Sequence, residues 1–344
     1  MFNYFSTFPS GLQEVVSEAL KRNIDDVRMS LLLDGVIIYE TNQRPEKIAS
    51  FRFFQNSFLL LFSLGNFKGK IVSLALSVIK NEGQIKSIPK AIVRQKRTFR
   101  LIFSEENQST SIRRSLWLDL EKLFSEKTGL IVDRSLPEVE IWFLSRSEGY
   151  GLVGLRLTKR LAGEKSLEKG ELKPELAHLL CLIADLGKND ILFDPFSGSG
   201  AIPSEAAISF SPRKIIASDK DQQLFRKLQK RLGAQKKVEV YNWDALALTS
   251  LEDNSIDKII TDPPWGFYKE ESISDLAGFY KKMLLELDRV LKRGGVLVIL
   301  IGQKEVFEKA LATIHSLKLQ KKNDILVSGK KAGIYKLAHR NFQL

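Results

Sequence analysis

Between residues 190 and 337, short apolar runs alternate with longer segments whose apolar positions recur every three or four residues. Asp190-Ile191-Leu192-Phe193, Lys214-Ile215-Ile216-Ala217-Ser218, Val238-Glu239-Val240-Tyr241 and Lys258-Ile259-Ile260 read as strands. Residues 201–210, 222–232 and 276–291 read as helices. Pro203 is tolerable in a first helical turn, and Gly294-Gly295 stops the third helix. Val296-Leu297-Val298-Ile299-Leu300-Ile301 is apolar on both faces, as a central parallel strand should be. Residues 325–327 and 334–337 predict a closing hairpin. Strands alternating with helices predict a doubly wound α/β domain over residues 171–344.

The first half has a different pattern. Residues 3–8, 36–39, 57–62, 99–103, 138–144 and 151–157 predict short strands, and residues 12–22 and 116–127 predict helices. The spacing suggests small α+β units rather than a continuous parallel sheet. Residues 159–170 are charged, hold two glycines and lack apolar periodicity, which predicts a linker.

A chain of 344 residues suggests two or three domains. Its net charge of +12 and pI near 9.5 favour an anionic partner, nucleic acid foremost. Arg94, Lys96, Arg97 and Arg100 cluster around Phe99, as a phosphate-contacting edge or as a solvated face. Lys330, Lys331, Lys336 and Arg340 form a weaker second group. The single cysteine, Cys181, lies in an apolar run, which excludes an intrachain disulfide and a cysteine zinc site. His178, His315 and His339 show no ligand spacing, so no metal is expected. No apolar run has the length to span a bilayer, and no secretory signal is evident at the N-terminus. The expectation is a cytoplasmic protein with no membrane partner.

Candidate chemistry collects at the strand ends, where open α/β sheets bind ligands. Asp194-Pro195-Phe196-Ser197-Gly198-Ser199-Gly200 follows the first strand. Gly198 and Gly200 allow close backbone approach, and Asp194 suits a cationic ligand better than a pyrophosphate. Asp219, followed by Lys220, ends the second strand about twenty residues past Gly200, where a carboxylate takes ribose hydroxyls. Asp244, with Ala245 beside it, follows the third and can accept from an adenine amine. Asp262-Pro263-Pro264-Trp265 follows the fourth. Its prolines fix φ and remove donors, leaving a carboxylate, rigid carbonyls and one flat apolar face. That set suits a planar base with an exocyclic amine. Read alone, each acid is also compatible with a solvated loop, and the tetrapeptide with a rigid turn. Four acids at four successive strand ends together describe a site for a nucleoside carrying positive charge, S-adenosylmethionine.

Asp194-Pro195-Phe196-Ser197-Gly198-Ser199-Gly200 with Ser204-Glu205-Ala206-Ala207 resembles the DPFxGSG…EAA motif of amino-group RNA methyltransferases. Asp262-Pro263-Pro264-Trp265-Gly266 is similar to their (N/D)PP(Y/F/W) loop. Leu172-Lys173-Pro174-Glu175-Leu176-Ala177 looks like the L-x-P-x-L-A element of the guanine-N2 branch. Residues 132–141 and 99–103 resemble parts of a THUMP domain, and residues 4–22 the ferredoxin-like segment before it.

The resemblance implies a ferredoxin-like segment over 1–45, a THUMP RNA-binding domain over 46–158, a linker over 159–170 and a Rossmann-like methyltransferase domain over 171–344. It implies Asp262, Pro263, Pro264 and Trp265 as catalytic and Asp194, Phe196, Gly198, Gly200, Asp219, Lys220, Asp244 and Ala245 as cofactor-binding. Arg94, Lys96, Arg97 and Arg100 are the expected RNA contacts. The implied activity is methylation of a guanosine N2 amine in tRNA or another structured RNA. The alternatives are a ribosomal-RNA guanine-N2 enzyme, an adenine-N6 methyltransferase and an inactive RNA-binding relative.

Overall fold

The computed structural model describes residues 1–67, 69–158, 171–266 and 274–339. The expected linker, residues 159–170, and Arg340 lie outside the described residues. The chain divides into two compact units, Met1–Phe8 with Leu20–Leu161 and Pro9–Ala19 with Ala162–Leu344.

The N-terminal elements run β1 (Phe2–Thr7), α1 (Gln13–Asn23), β2 (Arg28–Leu33), β3 (Val36–Thr41), α2 (Pro45–Ala49), β4 (Asn56–Leu64), α3 (Ile71–Lys80) and α4 (Lys90–Val93). They continue with β5 (Thr98–Glu105), β6 (Gln108–Thr110), α5 (Arg114–Thr128), β7 (Ile131–Val132), β8 (Val139–Arg146) and β9 (Tyr150–Arg156). The described strands form one mixed sheet in the order β2-β3-β1-β4-β9-β8-β5-β6, with β7 also on β5. Only the pairings of β5 with β8 and with β7 are parallel. The pattern of short strands suggested separate small units; the structure joins them through β4, which pairs β1 along one edge and β9 along the other. Phe5 and Phe58 stack at 4.5 Å across the first pairing. Position 45 falls between β3 and β4 of this continuous sheet. Helix α3, for which the pattern offered no element, buries Ile71, Leu74, Ala75 and Val78 and packs on α5 and β8. Its run of isoleucine, valine and leucine favours a strand locally, and burial of one face decides for the helix.

The C-terminal elements are α6 (Pro174–Ile183), β10 (Ile191–Asp194), α7 (Ala201–Ser209), β11 (Lys214–Ser218), α8 (Gln222–Leu232), β12 (Val238–Tyr241) and β13 (Ile256–Thr261). They end with α9 (Leu276–Val290), β14 (Leu291–Ile301), α10 (Lys304–Leu311), β15 (Leu317–Val327) and β16 (Lys330–His339). The sheet order is β12-β11-β10-β13-β14-β16-β15. Strands β10 to β14 are parallel, and β16 runs antiparallel beside β14. The chain steps outward from β10 to β12, then returns to the other side of β10 with β13. That reversal makes β10 and β13 the topological switch point, where ligands bind beyond the strand ends.

Phe193, Ile259, Met283, Leu284, Leu297 and Ile299 fill the core beneath this edge. An aromatic line of Phe279, Tyr280, Phe307 and Tyr335 extends it, with successive centroids 5.6, 5.7 and 4.8 Å apart. The hairpin is longer than expected. Much of β15 is exposed and lysine-rich, a polar edge that carries no apolar signal. Residues 9–19 group with this unit: Asn323 donates to the Gly11 carbonyl at 3.3 Å, and a Cβ on Gly11 would lie 1.9 Å from the Asp324 carbonyl oxygen.

Candidate active site

The apolar strand β10 carries Asp194 to its carboxyl end, where it is only 1% exposed. The next residues fold the chain back under it. Ser197 donates its hydroxyl to the Asp194 carbonyl at 2.8 Å and its backbone N–H to the Ser218 carbonyl at 2.9 Å. Gly198 and Gly200 have φ of +51° and +86°, conformations costly for any other residue. A Cβ on Gly200 would strike Leu228 at 2.7 Å, whereas one on Gly198 would meet nothing within 4 Å. The loop is therefore packed tightly on the helix side at Gly200 and open at Gly198.

Asp219, 9% exposed, lies just past β11. Its two carboxylate oxygens accept from the Gly198 N–H at 3.0 Å and the Asp221 N–H at 2.9 Å. A carboxylate offers about four acceptor sites, so capacity for hydroxyl donors remains. Asn242 braces the same corner, donating to the Asp219 and Lys220 carbonyls at 2.7 and 3.0 Å. Asp244 is exposed and caps its own turn, accepting from the Leu246 N–H at 2.9 Å, while Ala245 is buried. Phe196 packs against the core, its ring 5.8 Å from that of Phe279.

On β13, the last residue before the catalytic-type loop is Thr261, fully buried. Its hydroxyl donates to Asp194 Oδ1 at 2.7 Å. Burial pushes the Asp194 carboxyl up to about 7, against hydrogen bonds from Thr261, the Phe196 N–H and Ser197. Burial also raises Asp219, partly offset by the Asp221 and Gly198 N–H groups. Among the described residues neither acid forms an ion pair. The following loop braces itself: the Trp265 indole N–H donates to Asp262 Oδ1 at 2.8 Å. Pro263 is buried, while Asp262, Pro264 and Trp265 are half-buried.

The structure thus bonds Gly198 to Asp219, holds Asp194 beside them through Ser197, and links Asp194 to the residue before the Asp262 loop through Thr261. Asp244 is not bonded into that group. The four basic residues divide. Arg94 and Arg97 are exposed, and Lys96 is half-buried. Arg100 instead donates to Glu140, which also accepts from Arg156 and from the Trp142 indole. Phe99 belongs to the core.

Thr261, Asn242 and Tyr280 were not among the expected site residues. Thr261 and Asn242 had a signal, since each adjoins a strand-end acid or follows a strand. Tyr280 sits in a helix whose periodicity marks it only as core.

This strand order, with buried acids at the switch point, is the Rossmann-like methyltransferase fold. Residues 164–331 match the family described as RMKL-like, methyltransferase domain. Over 179 residues the chain is 29% identical to the human U6 snRNA (guanine-N(2))-methyltransferase THUMPD2, covering 51% of this chain and 34% of that protein. It is 29% identical over 198 residues to the tRNA (guanine(6)-N2)-methyltransferase of Thermus thermophilus, covering 53% of this chain and 56% of that one. The chain thus spans well under two thirds of these relatives' lengths. The crystal structure of TrmN from Thermus thermophilus shares the fold with a TM-score of 0.79 at 20% identity, over 99% of this chain and 100% of that one. Among the described residues, no helix is long and apolar enough to cross a membrane and no His/Cys/Asp/Glu cluster could hold a metal ion.

Proposed function

We propose that this protein methylates the exocyclic N2 amine of a guanosine in tRNA, using S-adenosylmethionine. The observation that carries the reading is the Thr261–Asp194 hydrogen bond, which ties the cofactor-side acid to the residue before Asp262. The guanine-N2 activities named for the matched relatives support the choice of amine. The mixed sheet of residues 2–156, read as a ferredoxin-like segment and a THUMP domain, serves as the RNA-binding part, with Arg94, Lys96 and Arg97 on its basic edge.

The residues present fit S-adenosylmethionine. The open side of Gly198 leaves room for it, Asp219 keeps acceptor capacity for ribose hydroxyls, and Asp194 is a buried acid without a cation. Bound there, the cofactor supplies an electrophilic methyl group. In this reading Lys220, Asp244, Ala245, Phe196 and Gly200, from the same strand-end loops, complete the cofactor contacts.

The chain's own task is to orient a weak nucleophile. The guanine N2 lone pair is delocalised into the ring. Asp262 and the Pro263 carbonyl accept both amine N–H groups, which favours a tetrahedral nitrogen, aims its lone pair at the methyl group and stabilises positive charge developing on nitrogen. Trp265, held to Asp262 by its indole N–H, offers a face for the base, which leaves its stack to reach the pocket.

The test combines product and residue. Tritiated-methyl transfer into total tRNA from a strain lacking the gene should yield N2-methylguanosine on nucleoside mass spectrometry. Asp262→Ala should cut the single-turnover rate by at least about a hundredfold while keeping cofactor affinity. Methylation at another atom, or transfer at the parental rate in that variant, would overturn the assignment.

A further inference from the structure

We propose that Tyr280 is a positioning residue for the Asp262–Trp265 loop, and that its hydroxyl assigns the two proline carbonyls their separate roles. The proposal rests on the amine-binding reading of that loop.

The Tyr280 hydroxyl donates to the Pro264 carbonyl at 3.3 Å. Its ring is fully buried on α9, between Phe279 and Phe307. Helix α9 is itself fixed at its start, where Asp275 accepts from the Gly278 N–H at 2.8 Å. The hydroxyl therefore reaches the loop from a rigid core.

The loop needs such a donor. Pro263 and Pro264 have no backbone N–H, so two successive residues cannot brace the turn by donating. Gly266, with φ of +73°, adds a position of wide conformational freedom just beyond. Trp265 and Asp262 brace each other within the loop. Tyr280 adds a tie from the core. By engaging the Pro264 carbonyl it holds the Pro264–Trp265 peptide plane, and with the Pro264 φ set by its ring this leaves the Pro263 carbonyl to take the base amine.

Tyr280→Phe keeps the ring and removes the tie. With tritiated-methyl S-adenosylmethionine and total tRNA from a strain lacking the gene, single-turnover transfer should fall about tenfold, the scale of one hydrogen bond. The cofactor dissociation constant and the tRNA KM should stay within about twofold, because only the amine's orientation changes. In protein carrying 5-fluorotryptophan, the Trp265 fluorine resonance should shift or broaden while those of Trp117 and Trp142 hold. A parental rate overturns the proposal, as does a fall in melting temperature or cofactor affinity with the transfer rate unchanged. Asp262→Ala run in parallel separates the two levels. If it too transfers at the parental rate, or if the parent transfers nothing, the functional reading fails and this proposal with it. If only Tyr280→Phe is silent, the positioning role alone is lost.

Discussion

Two carboxylates, one half-buried in the N-terminal unit and one buried in the C-terminal unit, stand in opposite situations. Glu140 on β8 is 13% exposed and meets two guanidinium groups, Arg100 and Arg156, plus the Trp142 indole. Burial pushes its carboxyl up, and the hydrogen bonds from Trp142, Arg100 and Arg156, with the Arg156 charge, more than offset this and hold it below its ordinary value. Asp194 on β10 is 1% exposed and, among the described residues, meets hydroxyls and backbone N–H groups but no cation. Its carboxyl is pushed up to about 7. A paired acid completes a structure. In the reading proposed above, a buried acid lacking a cation receives one, and a sulfonium nucleoside with its amino group fits that need.

The comparison is broken most sharply at Glu140. Glu140→Ala should destabilise the protein by about 3 kcal/mol, because the half-buried Arg156 and Arg100 lose the carboxylate they share. Urea denaturation would measure it. Cofactor affinity of the folded variant should stay at the parental value. A variant as stable as the parent would mean that the network adds nothing, and that pairing does not separate structural acids from site acids.

Asp194→Asn should act with the opposite sign. Burial pushes the folded carboxyl up to about 7, above the usual value near 4 of an unfolded Asp. The folded state therefore holds the proton more tightly. The stability linked to that proton is complete below pH ~4 and is lost as pH rises through about 7. The slope reaches at most about 1.4 kcal/mol per pH unit in that window. Without cofactor, the asparagine variant should lose this slope and melt higher than the parent at pH 8. In the parent, S-adenosylmethionine should bind more tightly as pH rises through 7, since the ionised acid is the form that receives its charge. In the variant that dependence should vanish and affinity should fall. Identical pH profiles for the two proteins would sink the assignment of Asp194 to the cofactor's charge.

Much of the C-terminal unit was legible because its chemistry sits where periodicity breaks. Apolar strands such as Ile259-Ile260 end at a polar residue, and a doubly wound topology puts those ends together. The bounds of α8 and β12 follow directly from the pattern. What stayed hidden depends on contacts across the fold. Thr261 has the composition of any strand end, and its bond to Asp194 exists only because β10 and β13 are neighbours. Tyr280 is one aromatic among several in an amphipathic helix, and nothing local shows that its hydroxyl meets a proline carbonyl 16 residues earlier. In the N-terminal unit the basic run 94–100 reads as one cluster. Strand β5 starts at Thr98 and turns Arg100 toward Glu140, and only the sheet register could show that.

That division of the basic run gives the smallest effect and the finest test. Arg97 is exposed and makes no ion pair among the described residues, although its backbone N–H donates to Glu138 at 2.5 Å. Arg100, with a side chain 24% exposed, spends its charge on Glu140 and also donates to the Arg134 carbonyl at 3.4 Å. If the unit binds tRNA through phosphates, Arg97→Ala should weaken binding a few-fold at low salt and reduce the salt slope by about 1. Its stability should not change. Arg100→Ala should do the reverse, lowering stability by about 1–3 kcal/mol, the scale of a charged hydrogen bond, with binding nearly unaltered. Electrophoretic binding assays across a salt series, set beside urea denaturation of both variants, would separate them. Should Arg100→Ala weaken binding more than Arg97→Ala while keeping full stability, the ion pair with Glu140 would not hold in solution. The rule that pairing marks structure would then fail in the unit where it is drawn most clearly.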